Sequence, residues 1–466
     1  MLFNSYLFLF GFLPPVLCGW WALRHKNLRL AFLTGASWFF YAWWDWRFLP
    51  LMLATTTVDY VAALAIAGTD QPRRRRVLLV GSLTLNLGLL GYFKYADFFL
   101  KSFDGIGKAL GLPVDFPELH ILLPIGISFY TFNSMSYTID VFRRNLTPTK
   151  HLLEYTTFVA LFPHLVAGPI VRFTDLKPQL SRPRPSLTAH AAAVGLFFLA
   201  CGLVKKLLIA DQLSPHVEQL FAQPDQLGFV SSWAAALGYS LQLYFDFSGY
   251  SDMAVGLGWL IGFHFPQNFN SPFKARNISD FWRRWHMSLS AWIRDYLFIP
   301  LGGSRRGAVR TAANLLVTMF LAGLWHGAAW TFVIWGLFHG TLLGAHGVLR
   351  TTRLLPHSAF LGRAVTFLLV VAGFVVFRSP NVHTAGTILS AMTGFAGVES
   401  FGQLSVLLSA RFLVELGALL LFVQLVPNTW EIRARPRIVY GLATGTAAAL
   451  AIMSIASPHP FIYFQF

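Results

Sequence analysis

A few side chains in this chain have the type and setting to do chemistry. His326 stands in "FLAGLWHGAAWTFVIWGLFHG" (320–340), an otherwise apolar run in which Trp325 and Trp330 flank it and Gly323 and Gly327 allow close backbone approach. Charge is costly in hydrocarbon, so an ionisable residue there is a functional candidate by default; the other reading is a histidine hydrogen-bonded to a neighbouring helix for packing. His339 follows thirteen positions on, on a different helical face, and no HxxxH spacing with carboxylates points to a metal. His286 lies in "DFWRRWHMSLSAWIRDYLFIP" (280–300). On a helical wheel, Phe281, Trp285, Leu289, Trp292, Tyr296 and Ile299 form one stripe, while Arg283, His286, Ser290 and Arg294 gather opposite. That face suits either an interfacial helix with its arginines in water or the wall of a cavity for an anionic ligand, with Asp295 pairing Arg294. The last candidate is a phenol, Tyr463, in the terminal "FIYFQF" (461–466), a composition unlike a solvated tail.

The elements that must position these groups are membrane helices. Of 466 residues, 55% are hydrophobic and only 12% charged, about half the charge of a soluble chain. Apolar runs long enough to cross ~30 Å of hydrocarbon are expected at 4–23, 30–49, 50–68, 77–97, 121–141, 189–210, 229–248, 311–325, 328–349, 360–378, 409–426 and 438–457. The stretches 152–171 and 249–266 are less regular and read as re-entrant. Such backbone survives at membrane depth only inside protein or beside a wet cavity. Ser279 is the expected N-cap of an amphipathic helix over 278–300. The whole of 1–466 reads as one membrane domain, with the first apolar segment a retained span rather than a cleaved signal.

Basic clusters at 24–29, 73–76, 143–144, 172–184, 305–310 and 433–437 are expected on the cytoplasmic side, which places both termini outside. Lys205-Lys206, within an apolar run, and Arg378 fit that scheme less well. The net charge of +16 does not signal nucleic-acid binding, because the basic residues fall in short loops beside spans rather than on one face. Membrane lipid is the expected contact. Cys18 and Cys201 read as small apolar residues rather than a disulfide or metal pair. Asp246 and Asp252, flanking "FSGYS", fit either a funnel lining or turn capping. Asp59, Asp140 and His164 are expected to be satisfied within the bundle.

The strings "YFDFSGYSDMAVGLGWLIGFHFPQNFNSPF" (244–273), "DFWRRWHMSLSAWIRDYLFIPLGGSR" (280–305) and "GLWHGAAWTFVIWGLFHG" (323–340) closely resemble the membrane-bound O-acyltransferase family. The likeness is to its bacterial branch, which includes the alginate O-acetyltransferase membrane subunit and the D-alanyl transferase of teichoic acid synthesis. It extends to "LLPIGISFYTFNSMSYTIDVFRR" (122–144) and "VAGPIVRF" (166–173). The resemblance implies an all-α polytopic membrane protein, a ring of about 11–13 transmembrane helices with re-entrant segments around a central funnel. It implies that His326 is the essential histidine and His286 the second motif histidine. The 278–300 helix would line the cytoplasmic funnel, with Arg283, Arg284, Trp285, Arg294, Asp295 and Tyr296 as its donor-binding residues.

The chemistry is consistent with that picture. A thioester such as acetyl-CoA is polyanionic, so a basic funnel must carry its reactive end to depth. A neutral imidazole can then take a proton from an attacking hydroxyl. The C-terminal F-x-Y-F-x-F pattern resembles a motif that in this branch accepts the acyl group on tyrosine, which puts a relay at Tyr463 and makes 458–466 an acyl-acceptor tail. Pro458 and Pro460 end the last helix, and an extended tail at ~3.3 Å per residue reaches ~25 Å. The alternative for "FIYFQF" is an interfacial aromatic anchor.

The expected function is therefore a multi-pass inner-membrane O-acetyltransferase. It would take acetyl from acetyl-CoA or an acyl carrier protein, with no bound cofactor, and serve O-acetylation of an exported polysaccharide such as alginate or cellulose. Its expected partners are a periplasmic acetyltransferase of Ser-His-Asp type and the polysaccharide synthesis and export complex. The alternatives are a transporter of a lipid-linked saccharide, which predicts repeat symmetry not found here, a non-catalytic scaffold, and a peptidoglycan or teichoic acid acyltransferase.

Overall fold

The structure is a computed structural model, described here over residues 1–112, 116–182, 186–351, 358–395, 397–432, 438–455 and 460–462. It is helical throughout, with no β-strand among the described residues. Among the described residues six helices are long and apolar enough to cross a membrane: Lys26–Ala67, Pro72–Ala109, Ala189–Ala222, Gly307–His326, Trp330–Arg350 and Ala359–Arg378. The pair Phe401–Leu407 and Ala410–Leu425, bent by 78°, makes a seventh if counted as one span. The remaining expected spans are also helices. Leu7–Ala22 and Ile438–Met453 are shorter, Ile127–Phe142 begins only after the left-handed Gly126, and Phe229–Ile261 is one helix of 33 residues. That helix absorbs most of 249–266, which is regular to Ile261 rather than re-entrant.

The chain divides into two compact units, Met1–Leu199 with Met253–Pro266, and Ala200–Asp252 with Gln267–Phe466. In the first unit two buried polar groups are held between helices. Asp59 accepts from Ser82 Oγ at 2.6 Å and from Asn86 Nδ2 at 2.9 Å, and Arg75 donates to the carbonyls of Ile66 and Phe142, both at 2.8 Å. The 152–171 stretch is interrupted as expected: Leu152–Ala160 and Phe162–Leu165 are separate helices. Gly168 then packs on His164, where an added Cβ would lie 2.6 Å from the His164 Cα. Residues 157–171 are buried throughout, the setting in which non-helical backbone persists at membrane depth.

In the second unit the central hairpin is Gly307–His326 against Trp330–Thr351. Gly336, Gly340 and Gly344 recur every four residues, so they line one helical face. A Cβ on Gly336 would meet Met319 O at 2.4 Å, and one on Gly323 would meet Phe332 O at 2.2 Å. The helices therefore touch backbone to backbone, the small-residue packing that gives van der Waals contact where lipid supplies no hydrophobic drive. His326 is the last residue of the first of these two helices.

The helix expected over 278–300 is three pieces instead: Ile278–Trp282, Met287–Ile293 and a π-helical turn Arg294–Phe298. Asn277, not Ser279, caps the first piece, its Oδ1 accepting from Asp280 N at 2.8 Å. The break falls at His286, whose φ of 43° is left-handed, uncommon for a residue with a Cβ. The wheel's polar face does not survive that break. Cys18 is exposed and Cys201 half-buried, both as free thiols.

Candidate active site

The site is assembled from elements of the second unit. His286 is completely buried. Asn268 holds it there: Asn268 Oδ1 lies 3.1 Å from His286 Nδ1 and accepts from Ser288 Oγ at 2.9 Å, while Asn268 Nδ2 donates to Ser251 Oγ at 3.0 Å. Main-chain bonds from Met287 N to Asn268 O and from Asn270 N to Arg284 O, both 2.9 Å, tie the two segments together. An amide oxygen only accepts, so the proton sits on Nδ1 and the lone pair on Nε2. Burial pushes the imidazole down to about 3, so His286 is neutral at any physiological pH.

His326 ends the helix Gly307–His326 and is 4% exposed. Its ring packs against Trp325 at 4.9 Å, Trp335 at 5.1 Å and Phe377 at 5.3 Å between centroids. Trp325 is also 6.3 Å from His286, so one indole lies against both histidines. Trp335 continues to His339 at 4.8 Å. Sequence spacing separates His286 from His326 by forty residues, and the fold brings them to one aromatic cluster.

The expected funnel residues divide. Arg283 is exposed. Arg284 is half-buried and committed, its Nε 3.0 Å from Asp280 Oδ1 and its NH1 3.2 Å from Asn270 O. Trp285 is buried, stacked on Phe281 at 5.7 Å and 18° and edge-on to Phe269 at 5.1 Å. Arg294 pairs with Asp295 at 2.7 Å, and Tyr296 packs on Trp292 at 5.0 Å. Trp285 thus serves packing and Arg284 local structure, leaving Arg283 and Arg294 as the arginines whose side chains reach the surface here.

Tyr463 lies outside the described residues, but the three residues before it are placed. Phe461 is buried, stacked on Tyr250 at 4.8 Å and 26° and 5.4 Å from Phe247. Phe247 in turn meets His286 edge to face at 4.6 Å. Phe461 is therefore linked to His286 through the ring of Phe247. The lysines that fitted the topology poorly are explained in the same unit. Lys205 pairs with Asp252 at 2.6 Å, and Lys206 pairs with Asp246 at 2.6 Å and Asp211 at 2.9 Å. Asp246 and Asp252 are mid-helix counter-ions, neither turn caps nor free funnel lining. The available signal was that charges in apolar runs require partners; their pairing required the fold.

Among the described residues no group of three or more His, Cys, Asp or Glu is placed to hold a metal. A buried imidazole in this aromatic cluster can abstract a proton from a hydroxyl.

The membrane-bound O-acyltransferase family model matches residues 141–382. The chain belongs to that family. It is 46% identical over 397 residues to the probable alginate O-acetylase of Azotobacter vinelandii, covering 85% of this chain and 78% of that one. It is also 46% identical over 401 residues to the probable alginate O-acetylase of Pseudomonas aeruginosa, covering 85% and 75%. The peptidoglycan O-acetyltransferase of Helicobacter pylori is 39% identical over 431 residues, covering 86% and 81%. The matched region contains both histidines and the whole Asn268 anchor. This multi-pass membrane protein is an O-acyltransferase.

Proposed function

We propose that this O-acyltransferase moves acetyl from a cytoplasmic thioester, acetyl-CoA or an acetylated carrier protein, across the inner membrane for O-acetylation of an exported polysaccharide. His326 is the base and Tyr463 the relay. The observation that carries this reading is the seating of Phe461 on Phe247, which also touches His286, two residues before the phenol. An interfacial anchor has no need to bury its phenylalanine inside the protein.

In the first step His326 takes the proton of the Tyr463 phenol as the oxygen attacks the thioester carbonyl. The C–S bond breaks, and the thiolate recovers the proton from the imidazolium. In the second step the phenyl ester passes its acetyl to an alcohol, and the phenol is restored. With a phenol pKa near 10, the phenolate leaves more readily than an alkoxide, so thioester to phenyl ester to sugar ester runs downhill. Neutral His286, with its proton held on Nδ1, offers Nε2 as an acceptor in the same aromatic cluster. Arg283 and Arg294 supply charge for the anionic donor.

The relatives named as alginate O-acetylases favour a polysaccharide such as alginate or cellulose as the final acceptor. Transfer from the tail to sugar would fall to a periplasmic Ser-His-Asp acetyltransferase within the synthesis and export complex. The Helicobacter pylori relative, at 39% identity over most of the chain, favours peptidoglycan as the second reading. The deciding experiment is mass spectrometry of the C-terminal peptide after incubating membranes with isotope-labelled acetyl-CoA. Label on Tyr463 that is lost in His326→Ala supports the relay. Acetylated polymer without label on Tyr463 overturns it.

A further inference from the structure

The helix Ala189–Ala222 carries Lys206, 4% exposed, beside Lys205 within a long apolar run. A buried ammonium has three protons to place. In this structure Nζ faces Asp246 Oδ1 at 2.6 Å, Asp211 Oδ1 at 2.9 Å and the carbonyl of Pro460 at 3.3 Å. Asp246, 1% exposed, turns its other oxygen to the tail, where Ile462 N donates to Oδ2 at 2.9 Å. Asp246 thus holds the ammonium with one oxygen and a tail N–H with the other, while a backbone carbonyl of the tail takes a further lysine proton.

We propose that the buried Lys206–Asp246 pair is a main-chain clamp for the C-terminal tail, a binding site for the backbone of a peptide segment that sets the register of whatever follows Ile462. Its grip on Pro460 O and Ile462 N does not depend on side chains at those positions. The one side chain it reads is Phe461, which stacks on Tyr250, four residues from Asp246 and on the same helical face. Lys206, Asp211, Asp246 and Arg378, with the tail's Pro460 and Ile462, border one small pocket. The clamped segment therefore forms part of the wall of a polar cavity. Without the tail, an ammonium proton and a carboxylate oxygen would stay buried without these partners, which is costly. The tail and the pair thus hold each other. That the clamp serves acyl transfer rests on the relay reading; the binding itself does not.

The test is hydrogen exchange with mass spectrometry on the full-length protein in phospholipid nanodiscs, alongside labelling of Tyr463 by isotopic acetyl-CoA. The Ile462 amide is expected to be protected in the wild type and to exchange at least tenfold faster in Asp246→Ala, with amides of Gly307–His326 unchanged as the reference for global folding. An Ile462 amide that exchanges without protection in the wild type, or equally slowly in Asp246→Ala, overturns the clamp. If Asp246→Ala does not accumulate, Ile462→Pro decides, because it removes the donated proton and leaves the ion pair intact. A tenfold faster Phe461 amide then supports the clamp, and no change overturns it. A protected Ile462 amide with no label on Tyr463 sinks the relay and leaves the clamp standing.

Discussion

Asn268 and His286 are eighteen residues apart and meet at 3.1 Å, the carboxamide oxygen on Nδ1 of a fully buried imidazole. The same oxygen accepts from Ser288 Oγ, so one side chain sets both the tautomer and the left-handed turn at His286. Asn268→Ala is expected to lower the turnover number on the order of 10- to 100-fold, because misplacement by even an ångström costs that much. Expression and melting temperature, measured beside steady-state acetyl transfer, separate this from unfolding.

Asn268→Asp makes a sharper test of protonation. The wild-type imidazole, held near 3 by burial, cannot charge in the working range. A carboxylate at hydrogen-bond distance favours the charged form and raises such a pKa by ~1–3 units. The variant's activity should therefore fall as pH drops from neutral toward 5, where the wild type's does not fall through this residue. Matching pH profiles would remove His286 from the mechanism.

Replacing His326 removes the proposed base from its aromatic setting of Trp325, Trp335 and Phe377. His326→Gln, close in shape, should reduce acetyl transfer by ~10²–10⁴-fold while leaving donor binding nearly unchanged. Calorimetric titration with acetyl-CoA and a turnover assay read the two effects separately.

Gly323→Ala places a methyl 2.2 Å from Phe332 O, a backbone atom that cannot rotate away. The hairpin must part by an ångström or more, an overpacking cost of ~1–3 kcal/mol. His326 lies one turn beyond Gly323, so activity should drop further than the melting temperature alone explains. A variant with wild-type turnover would mean that this helix contact does not position the histidine.

Glu399 caps the long helix Phe229–Ile261: it accepts from Gly228 N and Ser231 N at 2.9 Å, Val230 N at 3.0 Å and the Ser231 hydroxyl. Burial works to raise its pKa, but these hydrogen bonds prevail and hold it down to about 2, below the usual 4.5. A carboxylate with a depressed folded pKa contributes stability that is present above about 4.5 and lost as pH falls toward about 2. Melting curves from pH 6 to 3 should show that loss in the wild type, and Glu399→Gln should flatten it.

Much of this was legible in the chain. The apolar runs of twenty residues or so could only be helices, because hydrocarbon offers no partner to an exposed peptide group. His326 was visible as an ionisable residue with no polar neighbours in sequence. The motif strings by themselves resemble one family, and the terminal aromatic run stands out because water does not hold such a segment.

Other features depended on contacts that one-dimensional periodicity cannot show. A wheel assumes unbroken helix, and the left-handed turn at His286 broke it, turning a residue read as polar-faced into a buried one held by Asn268. Lys205 and Lys206 fitted the topology poorly because Asp252 and Asp246, which pair with them, lie on another helix. The partners of Phe461 lie more than two hundred residues earlier. Local pattern determined which segments are helical and which residue types are rare within them. Only tertiary packing decided which rare residues meet, because burial forces each charge and each donor to find its partner wherever the fold brings one within reach.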